Sequence, residues 1–464
     1  MNCTRRGFLA SAAAPLLAGA QATQKGPAGP RSNLMLIVAE DLAAWMLGCY
    51  GNQEIKTPNL DHLAAAGVHF TNHFLSTPAS SASRATLFTG RISRQHGIAD
   101  FLTPNPRQNP DRGQAAPPAS FANEVFLSDL LTVAGYRCGF VGRWDLGQDE
   151  HPRHGFSETM TLPFANPVAN DPLLFLNGRP TRHPGPAPVV LTQSASKFLA
   201  QQSPSDPFFL IVSYPGAGPF YDGVAAKYQD FYKAVAFQTL GIQPPSPSAY
   251  EGKEMLADQL SSIRKTAAAV SALDEQIGNL ERSLIQHGLF DNTLVAFTSV
   301  SGQFLGRHGL WGAAYATNPP NFFEESIRTP LILSWPGRLP TQSNRPELVS
   351  LVDFVPTICE ALSVPLPTGR NLSGRSCLTL ALGKPLPKRR PWTDLVFGGL
   401  HGADMARDNR FKLILRPEDQ GPSEFYDIRG DPNERSNQYA NQSYVDARDR
   451  LAAELRTWHE KYPG

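Results

Sequence analysis

Two adjacent carboxylates, Glu40 and Asp41, close a continuous apolar run, Asn33 to Ala39 (NLMLIVA). A carboxylate pair at a strand end either solvates a loop or offers oxygen ligands to a hard cation such as calcium, which wants at least six of them. Ser80 opens a Ser-rich segment that reads as a turn entering a helix, with Ser80 or Ser83 as its cap, and Arg84 follows. Arg143 and Asp145 flank Trp144, a cation and an anion on either side of an aromatic ring. An arginine keeps its charge but cannot release a proton at neutral pH. Val300 cannot bind a cation, Ser301 offers one neutral oxygen, and His308 beside Gly309 reads as a turn histidine. No Asp or Glu occurs from Asn292 to Phe323 and no Lys from Thr266 to Gly383, so that stretch has neither to add to a polar site.

These groups sit on a regular alternation of elements. Asn33 to Ala39 suits a strand buried on both faces. Leu60 to Ala66, after Pro58, and Glu124 to Ala134, stopped by Gly135, have helical spacing. Cys138 to Val141, Phe208 to Ser213, Leu294 to Thr298 and Leu331 to Ser334 read as short buried strands. A long helical pattern covers Met255 to His287, with Gly288 as its stop, and another covers Val352 to Leu362. Such alternation predicts an α/β fold with a mostly parallel central sheet flanked by helices. In such sheets functional residues gather on loops beyond the carboxyl ends of the strands. The Pro-rich stretches Leu102 to Ser120 and Pro163 to Pro188 are expected as surface loops or insertions, with a shorter break at Gln243 to Ser248. Val364 to Pro391 is the expected boundary. Strand-like runs at Leu395 to Phe397, Phe411 to Leu415 and Phe425 to Asp427, then an amphipathic helix from Tyr444 to Trp458, predict a small C-terminal α+β domain with an antiparallel sheet.

One segment is diagnostic. Ser80 to Arg91, SSASRATLFTGR, resembles the sulfatase signature, in which a Cys or Ser opens the motif, a Pro or Ala follows two residues on, an Arg two beyond that, and Thr-Gly-Arg closes it. Further segments are similar to that family: Asn33 to Asn52, Gly135 to Gly147, Asp291 to Gly312, Glu324-Glu325-Ser326 with Arg328 and Pro330, Leu351-Val352-Asp353 with Pro356-Thr357, and Phe425-Tyr426-Asp427 with Asp431-Pro432 and Glu434. The resemblance covers nearly all of the chain after its first residues. It implies the alkaline phosphatase-like architecture, with a catalytic domain at 31–375 and a small subdomain at 390–464.

The resemblance also implies a chemistry. In the family a maturing enzyme oxidises the first motif residue to formylglycine, whose hydrate attacks sulfur, and the Ser form with Ala at the third place resembles the type matured by radical-based enzymes. That puts the nucleophile precursor at Ser80 and its anchor at Arg84. A divalent cation, usually calcium, binds the sulfate oxygens. The family ligands fall at Glu40 and Asp41 and at Val300 and Ser301, so one of the four is lost and one weakened. The family's Gly-Lys-Trp-His segment reads Gly142-Arg143-Trp144-Asp145, leaving Arg143 and His308 as the surviving catalytic candidates and Asp145 at a substrate-binding position with its sign reversed. The Pro-His-x-Pro histidine falls at Ala217 and a further lysine at Ala313. The expected function is a sulfuric ester hydrolase scaffold, catalytically impaired by these replacements. The alternatives are an active sulfatase with a remodelled site acting on sulfated carbohydrate, and a non-catalytic protein that binds sulfated glycan or an active relative. A phosphoester hydrolase with Ser80 itself as nucleophile is a weaker fourth, because its usual two-metal cluster of Asp and His has too few ligands.

Composition agrees with a folded chain: hydrophobic residues make up 41% and charged residues 18%. Lys+Arg 42 nearly cancels Asp+Glu 41, which argues against a nucleic-acid partner. Thr4-Arg5-Arg6-Gly7-Phe8-Leu9, the apolar run Ala10 to Ala20 and a small-x-small end predict an export signal of twin-arginine type over 1–22, hence a periplasmic or extracellular protein with no integral membrane segment after its removal. Cys3 leaves with it. Cys49, Cys138, Cys359 and Cys377 are expected as buried thiols, with one disulfide allowed in an oxidising compartment.

Overall fold

A computed structural model describes residues 31–102, 116–147, 152, 154–163, 169–216, 223–386 and 391–463. The expected export signal, Cys3 and Ala217 lie outside the described residues, as does most of Leu102 to Ser120. The strands are β1 (Asn33–Ala39), β2 (Val68–Phe74), β3 (Arg137–Arg143), β4 (Phe156–Leu162), β5 (Leu173–Leu176), β6 (Arg179–Arg182), β7 (Phe208–Ser213), β8 (Thr293–Ser299), β9 (Leu331–Ser334) and β10 (Ser343–Ser350), then β11 (Leu395–Leu400), β12 (Ala403–Asp408), β13 (Phe411–Leu415) and β14 (Glu424–Asp427).

The apolar runs become strands because both faces of the sheet are covered. Side chains alternate across a strand, so β1 sends Leu34, Leu36 and Val38 to one core and Met35, Ile37 and Ala39 to the other. β7 and β8 divide in the same way, Phe209 and Ile211 against Leu210 and Val212, Leu294 and Ala296 against Val295 and Phe297. Each fully buried Leu, Ile or Phe contributes about 1.5–3 kcal/mol, so these central strands anchor the sheet. The sheet order is β10-β2-β9-β8-β1-β7-β3-β4-β5-β6. The centre is parallel, β8 and β7 beside β1, β3 beside β7 and β4 beside β3. β9 is inserted antiparallel between β8 and β2.

Several elements differ from expectation. The long helical pattern is broken at Asp258, whose carboxylate caps the helix Gln259–Gln286 by accepting from Ser261 N–H at 3.3 Å. The helix expected from Glu124 starts only at Leu127, because Glu124 turns away to pair with Arg91. The Pro-rich stretch from Pro163 is not all loop: it holds the hairpin β5–β6 on the sheet edge and the start of the helix Ala187–Ala200. All four remaining cysteines are free thiols, Cys49 partly buried and the others buried.

The four-stranded antiparallel sheet β11-β12-β13-β14 stands apart, after the stretch 364–391. The helix Val445–Lys461 covers it by packing Leu451 and Leu455 on Ala406, Leu413 and Phe425. Buried Lys412 of β13 ties this sheet to the larger one. It donates to Phe322 O at 2.8 Å and pairs with Glu324 at 2.9 Å and Glu434 at 2.7 Å.

Candidate active site

While His308 does not join them, Glu40, Asp41, Arg143, Asp145 and Ser301 sit at the carboxyl ends of β1, β3 and β8, and the helix carrying Ser80 and Arg84 meets them there. The parallel centre forces this, since its strands all point their ends to one side. Beyond β1, Glu40 is buried and Asp41 partly buried, with the Asp41 backbone in the left-handed region at φ 50°. Ser301 clasps that turn: its hydroxyl accepts from Asp41 N–H at 2.7 Å and donates to Asp41 Oδ1 at 3.1 Å, and its carbonyl accepts from Leu42 N–H at 3.1 Å. Val300 is buried in the apolar core beside it.

Ser80 is the first residue of the helix Ser80–Thr89, every residue of which is buried. Its hydroxyl lies 3.5 Å from Asp145 Oδ2. One turn on, Arg84 has no exposed surface. Its Nη1 donates to Glu40 Oε1 at 2.6 Å and lies 3.5 Å from Asp145 Oδ2, and its Nη2 lies 3.4 Å from Ser213 Oγ. Arg143, at the end of β3, gives Nη1 to Glu40 Oε2 at 2.9 Å. Gly142 lets β3 reach this point. Its φ is +118°, and a Cβ there would lie 1.9 Å from Ser213 O. Ser213 is the residue that the sequence reading passed over. Its only signal is a hydroxyl closing an otherwise apolar run.

The electrostatics follow from these contacts. Burial pushes the Glu40 carboxyl up, but the charges of Arg143 and Arg84, with hydrogen bonds from Arg84 and Ser80, outweigh it and hold the group below the ordinary carboxylate range. Asp41 goes the other way, pushed up to about 6 by burial and then by the Glu40 charge, against the Ser301 hydrogen bond.

His308 belongs to a different contact set. It sits in the turn Arg307–Gly309 at φ 55°, its Nε2 3.3 Å from Glu325 Oε2 and its ring against Phe323 at 4.7 Å between centroids. Glu325 also pairs with Arg307 at 3.4 Å, and His308 and Arg307 together hold its carboxyl low against the effect of burial. Among the described residues, His308 meets Glu325, Phe304 and Phe323 rather than Ser80, Arg84 or Glu40. The Ala313 side chain has no polar atom.

The donor set does not fit a calcium ion. Both Glu40 oxygens face guanidinium groups, one Asp41 oxygen accepts from Ser301, and Val300 supplies nothing. The other Asp41 oxygen lies against Gly216, where a Cβ would come within 2.4 Å of it. Calcium needs six to eight oxygens at about 2.3–2.6 Å. Among the described residues, no group of three or more His, Cys, Asp and Glu could hold a metal ion.

The sulfatase family model matches residues 32–364, well over half of the chain. The chain belongs to the sulfatase family. A second model, the C-terminal region of N-sulphoglucosamine sulphohydrolase, matches residues 319–461. An N-acetylglucosamine-6-O-sulfatase of Bacteroides thetaiotaomicron is 24% identical over 511 aligned positions, covering 93% of this chain and 87% of its own length. A steryl-sulfatase of Rattus norvegicus is 29% identical over 416, covering 76% and 71%. Among solved structures, a protein in complex with its substrate D-glucosamine-2-N,6-O-disulfate superposes with a TM-score of 0.78 at 22% identity, covering 93% of this chain and 98% of that one. The phosphonate monoester hydrolase of Agrobacterium radiobacter gives 0.69 at 21%, covering 93% and 96%. The fold of this chain, mixed central sheet and small antiparallel sheet together, is shared with these solved structures.

Proposed function

We propose that this sulfatase-family chain keeps the scaffold of a sulfuric ester hydrolase for carbohydrate sulfates but is impaired in hydrolysis. The observation that carries the reading is the carboxylate of Asp145, 3.5 Å from the Ser80 hydroxyl. A sulfate monoester is an anion, and its cleavage builds further negative charge on the leaving oxygen. A catalyst of that step stabilises the growing charge with donors aimed at it. Here an acceptor stands beside the nucleophile position instead. Arg143 offers a donor but gives Nη1 to Glu40 and cannot act as a proton source.

In this reading Ser80 is the position open to formylglycine conversion and Arg84 fixes the helix that presents it. Glu40 orients both guanidinium groups, and Arg143 supplies the positive charge that meets a sulfate. His308 steadies its own turn through Glu325. The substrate class is taken from two of the relatives, the N-acetylglucosamine-6-O-sulfatase and the protein solved with D-glucosamine-2-N,6-O-disulfate. Export to the periplasm or beyond, through a twin-arginine signal over 1–22, belongs to the same proposal. No described helix is long and apolar enough to cross a membrane.

The test is a panel of sulfate esters, including N-acetylglucosamine 6-sulfate, offered to protein made beside a serine-type maturase, with Ser80 conversion quantified by mass spectrometry. Each lost transition-state donor costs about 10²–10³ in kcat. The expected result is binding of sulfated sugar with turnover at least about 10⁴-fold below a working sulfatase, as the two donors lost at the Asp145 and Ala313 positions imply. Ordinary turnover that disappears on Ser80→Ala would establish the remodelled-site enzyme instead.

A further inference from the structure

The carboxylate that follows β1 already has its counter-ions. Glu40 is buried, with Arg84 at 2.6 Å from one oxygen and Arg143 at 2.9 Å from the other. The two arginines are not equivalent. The Arg84 side chain is wholly enclosed, whereas that of Arg143 keeps 18% of its surface. Of the pair, only Arg143 offers its charge to an incoming group.

A divalent ion bound through Glu40 and Asp41 would have to enter against these charges. It would bring two positive charges to within a few ångström of two guanidinium groups, a repulsion that falls slowly with distance inside a protein. Among the described residues, the neighbouring walls add no carboxylate placed to hold it in exchange. Val300 is buried apolar surface, the Ser301 hydroxyl oxygen already accepts from Asp41 N–H at 2.7 Å, and Gly216, beside the second Asp41 oxygen, has no side chain to offer.

We infer that the Arg143 guanidinium is a tethered cation, seated on Glu40 where a divalent ion held by Glu40 and Asp41 would otherwise sit, and that the folded chain keeps its site without calcium. The inference rests on the reading of this cluster as the sulfatase site and deepens it. A guanidinium brings one charge rather than two, and fixed N–H donors rather than open coordination positions. A sulfate oxygen can therefore be hydrogen-bonded in this site but not drawn into a metal's coordination sphere.

The test uses calcium itself as the probe, on the mature chain and two variants, by calorimetric titration and by melting temperature in calcium against EDTA. The natural sequence should give no saturable binding and no melting shift at about 1 mM calcium, the weak end of extracellular sites. Val300→Asp with Arg143→Ala restores a carboxylate and removes the tethered charge. It should bind one calcium and melt a few degrees higher in calcium than in EDTA. If that pair does not fold, Arg143→Gln keeps most of the side chain without its charge and should show the same shift in weaker form. Stoichiometric calcium in the natural chain would overturn the inference, as would folded variants indifferent to calcium. Turnover plays no part in this readout. An active but calcium-free protein would overturn the proposed impairment and leave the tethered cation in place, and an inactive calcium-bound one would do the reverse.

Discussion

Asp145 Oδ2 lies 3.5 Å from the Ser80 hydroxyl and 3.5 Å from Arg84 Nη1, so one carboxylate oxygen sits against both the nucleophile position and the arginine that orders its helix. Asp145 is 1% exposed, and its φ of 54° suits Asp or Asn better than most residues. Asp145→Asn therefore keeps the backbone and removes the charge. The expected outcome is roughly tenfold tighter binding of inorganic sulfate, since one like charge removed at this range is worth on the order of 1–2 kcal/mol. Calorimetric titration of both proteins measures it, and unchanged affinity would mean that sulfate does not meet this carboxylate.

Glu40 is the counter-ion of two arginines, and Glu40→Gln leaves both guanidinium groups without it. Breaking a buried ion pair from one side costs about 3–5 kcal/mol. The urea midpoint should fall accordingly with little change in slope, because the surface exposed on unfolding is the same. A loss below about 1 kcal/mol, the range of an exposed ion pair, would show that these contacts are solvated.

Lys412 makes the corresponding point at the junction of the two sheets. Its ammonium is fully buried between Glu324 and Glu434. Lys412→Met fills the space but strands Glu434, while Glu324 keeps Arg407 at 3.3 Å, and a loss of about 3–5 kcal/mol is expected. Adding Glu434→Gln should recover part of it, because the carboxylate left without a cation is then neutral. Thermal unfolding of the single and double variants measures the recovery, and additive losses would rule out the coupling.

Asp353 sets a pH dependence away from the site. Burial pushes its carboxyl up to about 6, against hydrogen bonds from the backbone N–H groups of Arg375 and Ser350. The folded state thus holds a proton that the unfolded chain releases near the ordinary 3.8. Between those values the folded state binds more protons, so this group's contribution to stability falls as pH rises from about 4 to about 6 and is fully lost above that. Asp353→Asn should remove that part of the slope. Chemical denaturation at several pH values measures it, and parallel profiles for the two proteins would contradict the assignment.

The buried centre of the fold was legible in the sequence because β1, β7 and β8 are covered on both faces and read as unbroken apolar runs. β2 was not read: VHFTNHF carries two histidines, a threonine and an asparagine in a strand whose polar positions meet neighbours rather than core. β10 contains Pro346, which a central strand would exclude, but β10 is an edge strand and carries an irregularity between Arg345 and Leu348. The site shows the same division. The identities of Glu40, Asp41, Ser80, Arg84, Arg143 and Asp145 and their gathering at strand ends followed from motif and fold class. That Arg143 turns onto Glu40, that Ser213 meets Arg84, and that His308 pairs with Glu325 depend on distances across strands far apart in the chain, and spacing along one strand carries no such information.

The central claim is impaired sulfate-ester hydrolysis on an intact sulfatase scaffold. The most direct measurement is kcat/KM for N-acetylglucosamine 6-sulfate, with Ser80 shown to be converted and beside a working N-acetylglucosamine-6-O-sulfatase under the same conditions. The account expects a value at least about 10⁴-fold lower, from two lost transition-state donors, and the same residual rate in Ser80→Ala. A value within tenfold of the working enzyme, abolished by Ser80→Ala, would contradict it.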